Sequence, residues 1–315
     1  MGVKHWSQPF LFDAPSSREE SVFVNRQMKS LSLFSNFVVL PHTVFALPFA
    51  LAALLLAYSR GPTANGGRSP LVLLTEIVVA VVAARVAAMA FNRIADADID
   101  ARNPRTAGRE LPTGKISRTS AAAIVTCASA TFLLFSSFLG RHCLMLSPFV
   151  LALLLCYSYT KRVGSYAHFV LGLALALAPG GAWWVLRPQV ELTPLLLMGA
   201  VLFWVAGFDI LYSCQDVVFD REHEVFSIPA KFGVETALFS AKMYHLIALG
   251  AFLLVGWSAG LGGTYIFGTL VLGMFLLGQH WLISAFDLGR INQAFFTANG
   301  AVSLFYLGLI AFCVW

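Results

Sequence analysis

Nine apolar runs, each long enough to cross a bilayer, occupy most of the chain, at approximately 34–58, 70–92, 117–139, 142–160, 166–188, 191–215, 236–257, 261–286 and 292–314. A hydrocarbon core about 30 Å thick needs about 20 apolar residues per helix. Backbone polar groups in lipid must also be satisfied within the segment, so runs of this length read as helices. The expected fold class is therefore all-α, a polytopic membrane bundle of nine transmembrane helices. Residues 1–33 form a polar N-terminal segment, and 34–315 form a single transmembrane domain. With 58% hydrophobic and 12% charged residues and a mean hydropathy of +0.76, the chain is far from the make-up of a soluble domain.

Charge placement gives an orientation. If successive spans alternate in direction, 16 of the 21 Lys and Arg fall on one side. They lie in the N-terminal segment, in the 92–118 loop, at Lys161 and Arg162, and at Arg221, Lys231, Lys242 and Arg290. Arg60, Arg68, Arg141 and Arg187 fall on the other side, and Arg85 lies within a span. Lys and Arg favour cytoplasmic loops, so the N-terminus is expected in the cytoplasm and the C-terminus outside. The first 30 residues resemble neither a signal peptide nor a transit peptide, which makes a bacterial cytoplasmic membrane the expected location. The net charge of +5 then reflects topology, and nucleic-acid binding is excluded because the basic loops also carry carboxylates. The five cysteines show no metal or redox spacing and read as small packed residues.

Two aspartate clusters break the apolar pattern on the basic side. Asn92, Asp96 and Asp100 are spaced i, i+4, i+8, which at about 100° per residue puts them within roughly 80° of one helix face. Asp209, Tyr212, Asp216 and Asp220 are spaced i, i+3, i+7, i+11 and fall on one face by the same arithmetic. Asp98 is off the first stripe and reads as a solvated residue. Two facing stripes of oxygen ligands suit Mg²⁺ that keeps part of its water shell and bridges to a phosphorylated substrate. The plain alternative, helix-end carboxylates balanced by Arg93 and Arg221, explains one cluster better than two alike on the same side. Arg93, Arg105, Arg109, Lys161 and Arg162 are the available cationic donors for a diphosphate. Each cluster is followed by basic residues, a proline and a glycine before the next span. This is a weak internal repeat that would set two half-sites around a central, cytoplasm-facing cavity.

The stretches NRIADADIDARNPRTAGRELPTG (92–114), YSYTKR (157–162) and DILYSCQDVVFDREHEVFSIPAKFG (209–233) together resemble the UbiA superfamily of intramembrane aromatic prenyltransferases. The resemblance spans essentially all nine runs. FDILYSCQD and SIPAKFG resemble in particular the 4-hydroxybenzoate polyprenyltransferase-like branch, which includes dihydroxynaphthoate prenyltransferases of a menaquinone route. It implies that Asn92, Asp96, Asp100, Asp216 and Asp220 bind two Mg²⁺ bridging a polyprenyl diphosphate. Arg105, Arg109, Tyr157 and Lys161 would hold the diphosphate and favour its departure. Asp209, with Tyr212 beside it, would orient or deprotonate a hydroxylated aromatic acid, the acceptor in ubiquinone or menaquinone biosynthesis. The groove for the prenyl chain would open to membrane lipid.

The acceptor end departs from the wider family. Some relatives place an arginine on the first helix, whereas Phe34 to Tyr58 holds only His42. Arg85, seven residues before Asn92 and on its face, is the expected partner of an acceptor carboxylate, helped by His42; pairing with a nearby carbonyl or acid is the alternative. His142, His168, His245 and His280 lack metal-ligand spacing and read as interfacial or packed residues, and His223 lies outside the second stripe. From a different class, an ion-coupled transporter also uses intramembrane carboxylates, but transporters place them near the midplane on broken helices.

Overall fold

The structure, a computed structural model, describes residues 32–38, 43–61, 64, 67–282 and 297–315. All regular secondary structure among these residues is helical. The long helices are α1 (Thr43–Ser59), α2 (Pro70–Arg102), α3 (Arg118–Leu139), α4 (Arg141–Cys156), α5 (Ala167–Leu186) and α6 (Leu192–Ser213). Two short helices follow, α7 (Val217–Glu222) and α8 (Ile228–Phe232), and then α9 (Val234–Ala259), α10 (Gly263–Leu282) and α11 (Asn299–Val314). Among the described residues six segments are long and apolar enough to cross a membrane: Pro70–Arg102, Arg118–Leu139, Arg141–Arg162, Ala167–Leu186, Leu192–Glu222 and Val234–Ala259. Phe45–Ser59 and Asn299–Val314 are shorter apolar helices, and their expected runs lie partly outside the described residues. The chain is a multi-pass integral membrane protein.

Helix α2 does most to position the site. Pro70 opens it, where a missing N–H costs nothing, and its 33 residues extend about 50 Å. That exceeds a hydrocarbon core of about 30 Å, so the last turns, with Asn92, Asp96 and Asp100, emerge at the polar end of the bundle.

Helix α3 packs along α2, α5 and α9 pack along α6, α1 packs on α5, and α11 on α1. At the centre Phe49 stacks on Phe252 and Tyr306 with ring centroids 5.8 and 5.2 Å apart, and Trp204 lies 4.9 Å from Phe49. Within this core Trp204 Nε1 donates to Asn299 Oδ1 at 3.0 Å, which satisfies a donor that water cannot reach. Phe149, Trp257, Phe267 and Phe312 face outward, as expected where lipid is the solvent. At the end opposite the aspartates, Arg60 ties three helices together through Thr193 Oγ1 (2.9 Å) and the Ser258 carbonyl (2.6 Å).

The α5–α6 contact depends on one small residue. A Cβ at Gly172 would lie 2.4 Å from the Leu202 carbonyl oxygen, a backbone atom that cannot rotate away. Gly172→Ala should therefore force the helices apart, at about 1–3 kcal/mol. Thermal denaturation of the purified protein in detergent should show a lower Tm, and an unchanged Tm would mean that the two backbones are not in such close contact.

In two places the helical register differs from expectation. The run expected over 142–160 is α-helical only to Cys156, and Tyr157–Arg162 is a 3₁₀ helix. The second aspartate stripe also crosses a break: α6 ends at Ser213 and Cys214–Asp216 is a 3₁₀ turn before α7. A 3₁₀ turn advances about 120° per residue. The 100° arithmetic that joined Asp209 and Tyr212 to Asp216 and Asp220 therefore does not carry across residues 214–216.

Candidate functional site

At the polar end of α2, Asp96 is nearly inaccessible, with 3% of its side chain exposed. Its Oδ2 accepts from Lys161 Nζ at 2.7 Å and from Asn92 Nδ2 at 2.9 Å. Its Oδ1 is buried with no partner among the described residues. Asn92 also donates to Ser158 Oγ at 3.3 Å, which anchors the turn carrying Tyr157 and Lys161. One turn on, both oxygens of Asp100 accept from Arg109 Nη1, at 2.7 and 2.8 Å. The first stripe thus faces one way, as its spacing predicts. Asp98 points elsewhere, in an exposed pair with Arg118.

The second cluster meets the loop after α2. Asp216 accepts from Asn103 Nδ2 at 3.0 Å and from Arg105 through both Nε (2.8 Å) and Nη2. Arg105 Nη1 donates to the Tyr212 hydroxyl at 3.1 Å, and the guanidinium lies over the Tyr212 ring, 5.2 Å from its centroid. Burial works against the charge of Arg105, but its bonds to Asp216 and that carboxylate's charge outweigh the loss, so its pKa is raised above the ordinary arginine value. Asp220 accepts from Ser227 Oγ at 2.8 Å. Asp209 pairs instead with His168, whose Nδ1 is 2.7 Å from Asp209 Oδ2.

Two expected diphosphate donors are not joined to the carboxylates. Arg93 is buried and donates through Nε to the Phe37 carbonyl at 3.3 Å. It sits one residue from Asn92 and so is turned about 100° off the stripe. Arg162, the last residue of its 3₁₀ turn, reaches the Ala95 carbonyl and covers the Tyr159 ring at 5.5 Å. Arg105, Arg109 and Lys161 are the cations brought to the aspartates.

Glu76 is satisfied by Arg68, at 2.5 and 2.7 Å, and is no partner for Arg85. Arg85 makes no hydrogen bond among the described residues, and its Nε is buried. With Tyr157 it lines an otherwise largely apolar cavity of about 320 Å³, walled by residues such as Ala84, Leu154, Leu171, Leu175 and Met198. His42 lies outside the described residues.

Among the described residues no three His, Cys, Asp or Glu side chains converge on one metal position. Asp96, Asp100 and Asp216 are each paired with a cation. The donor set still fits a hard divalent ion, because it is all oxygen and Asp96 Oδ1 has no other buried partner. Asn103, Ser158, His168 and Ser227 are polar partners that the sequence reading missed as site residues. Asn103 before Pro104 is a helix-stop signal, and Ser227 before Ile228-Pro229 is a helix cap, confirmed by its bond from Ala230 N at 3.3 Å. His168 had a signal too, being an ionisable residue inside an apolar run.

The UbiA prenyltransferase family model matches residues 46–301. A 4-hydroxybenzoate octaprenyltransferase from Aliivibrio fischeri (strain MJ11) is 30% identical over 251 residues, covering 76% of this chain and 83% of that protein. The chain belongs to the UbiA prenyltransferase family. It falls in the 4-hydroxybenzoate polyprenyltransferase-like branch of UbiA proteins, and its activity is aromatic prenyl transfer. The transporter alternative is thereby set aside.

The apo structure of a UbiA homolog from Aeropyrum pernix K1 superposes with a TM-score of 0.76 at 35% identity, covering 86% of this chain and 97% of that one. A UbiA homolog from Archaeoglobus fulgidus, solved bound to GPP and Mg²⁺, gives a TM-score of 0.70 at 17% identity over 90% of this chain and 99% of that one. The latter likeness is one of fold. The stretches NxxxDxxxD, YxxxK and DxxYxxQDxxxD, on which the resemblance to UbiA proteins rests, supply the carboxylates and Lys161 gathered at the polar end of the bundle.

Proposed function

We propose that this protein transfers a polyprenyl group from its diphosphate to a hydroxylated aromatic acid of the 4-hydroxybenzoate type, in ubiquinone or menaquinone biosynthesis. The alternative acceptor is 1,4-dihydroxy-6-naphthoate. The observation that carries the reading is the gathering of three carboxylate–cation pairs, Asp96–Lys161, Asp100–Arg109 and Asp216–Arg105, beside an apolar cavity that contains an unpaired arginine. The nine expected spans would form one bundle over 34–315, with the N-terminus and the site on the cytoplasmic side of a bacterial inner membrane, the C-terminus outside, and the cavity open to lipid.

Asn92, Asp96, Asp100, Asp216 and Asp220 would hold Mg²⁺. When bound, Mg²⁺ supplies positive charge that neutralises the departing diphosphate. A donor diphosphate suits the paired arrangement, since its oxygens give Lys161, Arg105 and Arg109 new anionic partners as the aspartates change theirs. Those cations, with the Tyr157 hydroxyl, stabilise negative charge as the allylic C–O bond breaks and its electron pair goes to oxygen. A ring carbon of the acceptor then bonds to the allyl carbon, and loss of the ring proton restores aromaticity. Asp209, with Tyr212 beside it, orients or deprotonates the acceptor hydroxyl. The apolar walls keep water from the allyl cation.

Membranes carrying the protein, incubated with labelled polyprenyl diphosphate, Mg²⁺ and either acceptor, should yield a prenylated aromatic acid. Absence of product with both acceptors would overturn the reading.

Arg85 is assigned to the acceptor carboxylate because it has no partner of its own among the described residues and lines the cavity. A hydrogen bond to a charged group contributes about 1.5–3 kcal/mol, so Arg85→Ala should raise the acceptor KM about 10- to 100-fold. The donor KM should stay at the wild-type value. An unchanged acceptor KM would remove Arg85 from the acceptor site.

A further inference from the structure

His168, the second residue of α5, has 4% of its side chain exposed and both ring nitrogens engaged. Its Nε2 lies 3.3 Å from the backbone N of Ile228, and its Nδ1 lies 2.7 Å from Asp209 Oδ2. An amide N–H can only donate, so Nε2 must present its lone pair. The ring proton then sits on Nδ1, and the contact with Asp209 runs from Nδ1–H to a carboxylate oxygen. Asp209 makes no other side-chain hydrogen bond among the described residues and is 26% exposed, so its second oxygen remains available.

We propose that His168 is a positioning residue that holds the Asp209 carboxylate in a fixed orientation toward the acceptor hydroxyl; this rests on the reading of Asp209 as the acceptor-side residue. Two other roles fit less well. A histidine that served only packing would not need a carboxylate and a backbone amide on opposite ring nitrogens, and a metal ligand would need further donors, which are missing among the described residues.

The loop that sets the tautomer also touches the donor half of the site. Three successive residues each hold one part of it. Phe226 N donates to the Lys161 carbonyl at 2.8 Å, Ser227 Oγ to Asp220 at 2.8 Å, and Ile228 N to His168. The 3₁₀ turn with Lys161, the Asp220 carboxylate and the His168–Asp209 pair are therefore fixed by one short stretch of backbone.

The test uses the full chain in detergent or nanodiscs, with separate titrations of prenyl diphosphate and acceptor. In His168→Asn the amide nitrogen takes the place of Nδ1 and still donates to Asp209, whereas Ala has no donor and Gln places its amide farther out. His168→Ala should lower kcat about 10- to 100-fold, the range typical of residues that orient a reactive group, and should raise the acceptor KM. The donor KM should not change. His168→Asn should restore most of the loss, although it also lacks the Nε2 acceptor for Ile228, and His168→Gln should not.

Equal losses in Ala and Asn, or a loss shared with donor KM, would show a structural role and overturn the proposal; so would wild-type acceptor kinetics in His168→Ala. If Ala fails to fold, the Asn and Gln pair decides by the same criteria. Asp209→Asn, run in parallel, separates the two levels. If it alone impairs acceptor kinetics, the His168 proposal fails and the reading of Asp209 stands. If Asp209→Asn leaves acceptor kinetics unchanged, both fall.

Discussion

Asp96→Asn and Asp216→Asn should each lower prenyl transfer by about 10²- to 10³-fold, the cost typical of losing one preorganised electrostatic group in an active site. Asparagine keeps the size of the side chain and most of its hydrogen bonding, so the change isolates charge. At Asp96 the loss falls on a residue whose Oδ2 already takes bonds from Lys161 and Asn92 and whose Oδ1 is buried without a partner. That spare oxygen has no structural duty among the described residues, and binding a cation is the role its chemistry fits. At Asp216 the amide can still meet Arg105, but it no longer offsets the guanidinium charge. Initial rates at saturating donor and acceptor, repeated over a series of Mg²⁺ concentrations, measure the effect. Part of the loss should be recovered at high Mg²⁺, because weaker metal affinity is met by mass action. Wild-type turnover in either variant would remove that residue from the proposed metal site.

Lys161→Ala should reduce transfer by a similar factor, and it should also weaken the fold. Asp96 has only 3% of its side chain exposed, and Lys161, at 28%, is its ion-pair partner among the described residues. Removing the lysine leaves a desolvated carboxylate held only by an asparagine amide. Breaking a fully buried pair from one side costs about 3–5 kcal/mol. Solvent reaches this lysine and screens part of that, so about 2 kcal/mol is expected. The double variant Lys161→Ala/Asp96→Asn removes the unpaired charge and should recover most of the lost Tm while remaining inactive. Thermal denaturation in detergent and product formation, measured on all members of the cycle, separate the two effects. If Tm and activity recover together, the pair is structural and Lys161 has no direct part in holding the diphosphate.

These two predictions rest on different layers of the molecule. The stripe of Asn92, Asp96 and Asp100 was readable from spacing because all three lie on α2, whose periodicity continues to Arg102. The exclusion of Asp98 and Arg93 from that face follows from the same periodicity, although Arg93 was grouped with the diphosphate donors by charge alone. The second stripe was only partly readable. Cys214–Asp216 adopts 3₁₀ geometry, and a change of pitch over three residues leaves no signature in the hydrophobic pattern. His168 was passed over because its significance lies in a residue 41 positions away and an amide 60 positions away.

The sequence by itself determined that this is an α-helical membrane protein, where its carboxylates concentrate, and which face of α2 they share. Those properties come from local chemistry: apolar length against the thickness of lipid, and a fixed rotation per residue. Only the tertiary structure decided the partners. Arg105 meets Asp216 across 111 positions and Lys161 meets Asp96 across 65, while Arg162, next to Lys161, is turned to a backbone carbonyl. Such choices depend on how helices pack and where loops close, and a cation within reach of several carboxylates in sequence is committed to one of them only when the chain is folded.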